Sequence, residues 1–211
     1  MQVLEHLGFA LGLASISGVN LYLTVLITGL MVRFNLLHLA EMHQDLEVLG
    51  HPWVIGVAAV MYVIEFVADK VPWLDSVWDA IHTFIRPVGG ALLAIQALGD
   101  MPPHMQVIAA MLGGGAALTT HTTKASTRLI VNHSPEPASN IAVSVGEDVA
   151  VAGSSMLIFA HPVVAFVVFS ALLIVLWMLL PRLFRLLGRS LKFVKGKLRA
   201  LCGRPPLPVG G

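Results

Sequence analysis

The chain has 211 residues, of which 56% are hydrophobic and only 12% charged, with a formal net charge of +1 and a mean hydropathy of +0.82. A water-soluble domain carries about 25% charged residues, so this composition excludes an ordinary soluble protein and predicts an integral membrane protein, whose apolar surface lipid covers. A single cysteine, Cys202, excludes an intrachain disulfide and a cysteine-based zinc site.

A membrane-crossing helix needs about 20 mostly apolar residues. The first such run covers 7–34, but Ser15, Ser17, Gly18 and Asn20 interrupt its middle. Small and polar residues there either break the helix or let it pack closely against a neighbour. No positively charged segment precedes this run, which carries Glu5 and His6 instead, so no cleavable signal peptide is expected. The loop that follows contains His38, Glu41, His43, Asp45, Glu47 and His51 without strict metal-ligand spacing, and reads as solvated. Residues 53–68 are apolar and end in Glu65, Asp69 and Lys70 before Pro72. Residues 74–98 are amphipathic up to Pro87 and apolar after it. Beyond the Pro102-Pro103 turn, 105–131 starts apolar, passes three glycines and becomes threonine-rich. Ser139-Asn140 offers a helix cap for 141–160, which carries Glu147 and Asp148 after a break at Gly146. Residues 163–180 hold no charge.

The expected fold is therefore all-α: a polytopic bundle of about six membrane segments, some broken or re-entrant, over residues 1–185. Residues 186–211 form a basic tail. Eight of the 13 Lys and Arg lie after Pro181, with no acidic residue among them. The positive-inside rule puts this tail in the cytoplasm, as an interfacial helix on anionic headgroups and then a disordered Pro-rich end. Six crossings would put the N-terminus inside too. A short echo, Phe84-Ile85-Arg86-Pro87 against Phe159-Ala160-His161-Pro162, raises the question of two related halves.

Ionisable groups at membrane depth are costly and need partners, water or a function. Glu65 and Asp69 share a helix face, with Lys70 adjacent. Asp75, Asp79, His82 and Arg86 recur at spacings of four, three and four, a continuous helical stripe. Such a stripe suits an ion path, a proton relay or a salt-bridge network. His121, Lys124 and Arg128 fall on one face of the next segment, placed to pair with Glu65, Asp69 or Asp79 or to attract an anion. Asn140, Glu147 and Asp148 sit where broken backbone beside carboxylates makes ion sites in transporters, or else form a capped helix with a surface acidic pair.

At these residues a family resemblance emerges. Glu65-Phe66-Val67-Ala68-Asp69-Lys70-Val71-Pro72, Asp75-Ser76, Trp78-Asp79 and Ile85-Arg86-Pro87 resemble the signature of an uncharacterised bacterial membrane family, domain of unknown function 4126. So do Lys124-Ala125, Arg128, Ser134-Pro135-Glu136-Pro137-Ala138-Ser139-Asn140 and Glu147-Asp148. The resemblance covers about residues 7–180 and implies a shared membrane architecture, with no activity attached.

The functional expectation is a small transporter or channel for an ion, a cation above all. Glu65 and Asp69 bind it, Asp79 and His82 extend the path, and Lys70, Lys124 and Arg128 act as competing counter-ions. The alternatives are a carrier of an anionic lipid or phosphate using Arg86, Lys124 and Arg128, and a scaffold whose charges only hold the bundle together. No motif of an enzyme, a cofactor site or a nucleic-acid binder is present. The expected partners are membrane lipids and a small ion or anionic substrate, with a homo-oligomer left open. The expected location is the bacterial inner membrane.

Overall fold

The computed structural model describes residues 2–36, 44–131 and 137–201, and among them every regular element is helical. Seven α-helices follow one another: α1 (Gln2–Ser17), α2 (Leu21–Arg33), α3 (Pro52–Ala68), α4 (Pro72–Leu98), α5 (Pro103–Val131), α6 (Pro137–Ala160) and α7 (Pro162–Leu201), with a 3-10 turn (Gln44–Gly50) before α3. The outer-loop residues His38, Glu41 and His43, and Ser134-Pro135-Glu136, lie outside the described residues, as does the Pro-rich end.

Proline fixes most of these helix starts. α3 to α7 each begin at a proline, whose fixed φ suits the first helical position and whose missing N–H is one that helix starts leave unpaired. At the other ends, Gly99 closes α4 with φ 73°, a conformation glycine adopts without steric cost.

The first apolar run is two helices, not one crossing. The amides of Val19 and Asn20 both return to the Ile16 carbonyl, at 3.0 Å each, which ends α1. Asn20, extended at φ −147°, restarts the chain as the N-cap of α2, its Oδ1 accepting from the Leu23 amide at 3.0 Å. Packing shows where α2 then goes. Gly8 lies against Pro162 and Gly12 against Ile158, while Asn20 reaches Asp148, halfway along α6. α2 then turns back: Asn20 and Tyr62 share Asp148, Gly29 lies against Leu49 and Ile55, and Arg33 donates to the Gly50 carbonyl. α1 and α2 therefore enter from one end of the bundle, meet at mid-depth and leave by the same end.

The expected all-α bundle with a re-entrant segment is what the structure shows, the re-entrant part being α1 and α2. Beyond the hairpin, α3 to α7 alternate in direction. Gln2, the α4–α5 turn and the α6–α7 turn lie at one end; the α3–α4 turn and the continuation of α7 lie at the other. Gln2 and the described end of α7 therefore lie at opposite ends of the bundle, not at the same one. Segments 74–98 and 141–160 run the full depth, and Pro87 and Gly146 lie within unbroken helices. The Phe-x-x-Pro echo has no structural counterpart: Pro87 is inside α4, whereas Pro162 opens α7.

Among the described residues, three segments are long and apolar enough to cross a membrane, Trp73–Leu98, Ser139–Ala160 and Pro162–Arg185; 3–17, 21–33 and 52–68 are shorter apolar helices. The burial pattern is inside-out relative to a soluble protein. Trp177 is 71% exposed and Phe84 78%, while Glu65 and Arg86 are 0% exposed, as expected where lipid is the solvent. α7 continues without a break through Pro181 and Gly188 to Leu201, 40 residues in all. At 1.5 Å per residue it is about 60 Å long, roughly twice the hydrocarbon thickness, so its basic half extends the last crossing as helix.

Small residues bring the interior helices together. Gly90 and Gly113 lie between α4 and α5 against Ala117 and Ala94, so the backbones approach closely enough for van der Waals packing to hold them. Gly18 meets the Ala117 carbonyl and Thr120, which seats the hairpin tip on α5. Phe9, Leu13, Ile158 and Phe169 fill the apolar half behind the tip, with the Phe9 and Phe159 rings edge-on at 5.5 Å.

Candidate functional site: a buried charge network at the hairpin tip

The three charged clusters of the sequence are one network. The helix faces carrying them, on α3, α4, α5 and α6, converge around the Gly18–Asn20 break. Arg86 donates to Glu65 Oε1 at 2.6 Å, reaches Asp79 Oδ1 at 3.4 Å and the Gly18 carbonyl at 3.2 Å. Lys124 Nζ lies 3.2 Å from Asp69 Oδ2, 3.5 Å from Glu147 Oε2 and 3.6 Å from Glu65 Oε1, and donates to the Val19 carbonyl at 3.1 Å. Arg128 lies 3.2 Å from Asp69 Oδ2, 3.1 Å from Glu147 Oε2 and 3.8 Å from Asp75 Oδ1. It also donates to both the backbone and the side-chain oxygen of Asn140, at 3.2 and 2.7 Å.

One histidine is fixed as a neutral imidazole by its partners. Arginine has only donors, so the 2.7 Å contact from Arg86 makes His121 Nδ1 an acceptor. The proton then sits on Nε2, which faces the Asp79 carbonyl at 3.1 Å and Thr83 Oγ1 at 3.0 Å. His82 Nδ1 faces the Trp78 carbonyl at 2.8 Å and so carries a proton, while Nε2 shares a hydrogen bond with the Tyr22 hydroxyl at 3.0 Å. His82 borders the network, stacked on Trp78.

Lys70 stands apart. It donates to the Phe66 carbonyl at 2.9 Å and lies over the Phe66 ring, as a cation near the end of α3 is expected to. Desolvation at this turn lowers its pKa from the ordinary lysine value. Glu147 and Asp148 are not a surface pair: Glu147 binds Lys124 and Arg128, while Asp148 accepts from Asn20 Nδ2 at 3.0 Å and from the Tyr62 hydroxyl at 3.2 Å. Asn140 is not the helix cap, because α6 starts at Pro137; it lies within the first turn as a buried partner of Arg128.

Several partners escaped the sequence reading: Asn20, Tyr22, Tyr62, Thr83 and the carbonyls of Gly18 and Val19. A usable signal existed for the tyrosines. The chain has only two, both within apolar helices where a hydroxyl must find a partner.

Five carboxylates thus face three cations within ion-pair distance, and Asp148 is held by neutral donors alongside. Glu65 Oε2 and Asp69 Oδ1 are buried without any hydrogen-bond donor. A cavity of about 310 Å³ opens between α4 and α5, lined by Asp75, Asp79, Thr83 and Arg128 among others. Among the described residues no three His, Cys, Asp or Glu side chains converge as metal ligands.

A family model described as a domain of unknown function (DUF4126) matches residues 7–182. The chain belongs to this family. The DUF4126 span takes in the hairpin and every residue of the charge network, and ends where α7 becomes basic. No curated protein and no solved structure matches the chain.

Proposed function

We propose that this protein carries a small cation, a proton or another monovalent ion, across the bacterial cytoplasmic membrane. The observation that supports this reading is the surplus of carboxylates over cations in a buried network that runs from Arg86, in the middle of α4, to Asp69, Asp75 and Arg128 near the helix ends. A buried charge left uncompensated costs several kcal/mol, so such a network binds protons or cations to approach neutrality. The cavity beside Asp75 and Asp79 gives those ions an approach. Its lining residues, 75–83 of α4 and 125–129 of α5, lie in the half of the bundle towards the end where α7 emerges, which in this reading is the cytoplasmic side.

The same counting weighs against the alternatives. An anion carrier needs a cation with spare charge, yet Arg86, Lys124 and Arg128 each face at least two carboxylates. A scaffold needs balanced charges and a dry interior, and the excess of carboxylates beside a cavity weighs against it.

The test is flux in reconstituted liposomes, with pH-sensitive and cation-sensitive dyes. Wild-type protein is expected to pass protons, sodium or potassium above protein-free vesicles, and Asp69→Asn to lose this while still eluting as folded protein. Unchanged flux in Asp69→Asn removes Asp69 from the path. No flux of any cation in the wild type refutes the reading.

A further inference from the structure

The Lys124 ammonium sits in an oxygen cage. Around Nζ lie Val19 O at 3.1 Å, Asp69 Oδ2 at 3.2 Å, Glu147 Oε2 at 3.5 Å and Glu65 Oε1 at 3.6 Å. These oxygens come from the hairpin break, the end of α3 and the middle of α6. An ammonium has only three protons to donate, and only the bonds to Val19 and Asp69 have hydrogen-bond geometry. The other two oxygens surround the charge without being bonded to it: Glu65 Oε1 accepts from Arg86 at 2.6 Å and Glu147 Oε2 lies 3.1 Å from Arg128. That is how a dehydrated monovalent cation is held, by several oxygens that replace its water shell.

Two further features fit a cation site more closely than a lysine pocket. The Val19 carbonyl lies just past the end of a half-helix, where the macrodipole is negative; unwound backbone of this kind coordinates monovalent ions in transporters. Glu65 and Asp69, with side chains 0% and 3% exposed, each keep a second buried oxygen with no donor, so the two carboxylates that border the cage have hydrogen-bonding capacity that the lysine does not use.

We propose that Lys124 is a tethered cation filling a binding site for a free monovalent cation of the potassium or ammonium class, and that the two compete for the cage formed by Val19, Glu65, Asp69 and Glu147. The proposal rests on the cation-transport reading and assigns its binding site. The cage holds one positive charge at a time, so the incoming ion displaces the ammonium.

The test is thermal unfolding of detergent-purified protein in equal concentrations of choline, sodium, potassium, ammonium or methylammonium chloride. The wild type, whose own lysine fills the cage, shows no selective shift. Lys124→Ala is destabilised in choline and regains about 5–10 °C in potassium or ammonium at a hundredfold excess over the dissociation constant. If Lys124→Ala does not fold in choline, Lys124→Ala/Glu147→Gln, which removes one charge of each sign, must show the same selectivity. Equal melting of the folded variant in all five salts overturns the proposal. Flux in wild-type liposomes without selective stabilisation of the Lys124→Ala variant overturns this assignment and leaves transport standing; selective stabilisation of that variant with no wild-type flux leaves the site and refutes transport.

Discussion

If the network carries surplus negative charge, removing an acid and removing a base have unequal costs. Glu147→Gln and Arg128→Met form the sharpest contrast, because the two side chains face each other at 3.1 Å. Neutralising Glu147 gives up attractions to Arg128 at 3.1 Å and Lys124 at 3.5 Å, each about 5 kcal/mol at an effective dielectric of about 20. Against this, a desolvation penalty of several kcal/mol is recovered. Repulsion from Asp69 is also relieved. Asp69 Oδ2 and Glu147 Oε2 lie 3.2 and 3.1 Å from the same Arg128 nitrogen, so they are close enough to repel by at least about 2.5 kcal/mol at that dielectric. The net change is expected within about 1–2 kcal/mol of zero. Arg128→Met keeps the aliphatic stem but strands Asp69, Asp75 and Glu147, at a cost of about 3–5 kcal/mol. In thermal unfolding in detergent, Arg128→Met should lose about 6–20 °C and Glu147→Gln less than about 8 °C. Equal losses would mean a charge-balanced network, and would refute the argument from surplus charge.

Other consequences of the fold are open to direct measurement. Accessibility tags at Gln2 and after Leu201 should react from opposite faces of the membrane; reaction from one face would disprove the re-entrant hairpin. With Cys202 replaced by serine, a cysteine at Thr83 should be labelled by a membrane-impermeant thiol reagent from the face where α7 emerges, since Thr83 lines the cavity; labelling from the other face only would misplace its mouth. Asn20→Ala removes both the cap of α2 and a donor to Asp148, and should lower stability by about 1 kcal/mol for the cap alone, with more for the stranded carboxylate. A variant melting like wild type would remove Asn20 from the tip. Gly18→Ala places a methyl group against Thr120 and the Ala117 carbonyl, so its recovery as folded protein should fall sharply, whereas Gly115→Ala, with open space around it, should be recovered normally.

The residues of the network were legible because helical periodicity needs no tertiary knowledge. Spacings of four, three and four put Asp75, Asp79, His82 and Arg86 on one face, and all four are buried. Lys124 and Arg128 do serve as counter-ions to Asp69, and Lys124 to Glu65; Asp79 instead pairs along its own helix with Arg86. What stayed hidden was which faces meet. Periodicity says that a stripe exists and is silent on what it packs against, so three segments read as three clusters. Lys70 was misjudged because adjacency to Asp69 in sequence is not adjacency in space: where α3 ends, the ammonium finds the carbonyl of Phe66. The hairpin was hidden for a different reason. Residues 7–34 are long enough to cross once, and a hydropathy count does not register that Gly18 and Asn20 divide them into helices of 16 and 13 residues. At 1.5 Å per residue these span about 24 and 20 Å, short of a roughly 30 Å hydrocarbon layer.

The hairpin and the charge network require each other. Breaking a helix at mid-membrane exposes carbonyls that lipid cannot satisfy, and here Gly18 and Val19 are satisfied by Arg86 and Lys124. Those two cations could not be buried alone, and Glu65, Asp69, Asp79 and Glu147 compensate them. Were this only a structural repair, two carboxylates would offset the two cations, and Arg128 with a third would close the circuit. The carboxylates beyond that number do nothing for the broken backbone and make the interior harder to keep dry. On the transport reading proposed above, their presence beside a cavity belongs to an ion that comes and goes, which is why the unequal cost of removing acids and bases, rather than the mere presence of buried charge, is the measurement that separates a carrier from a scaffold.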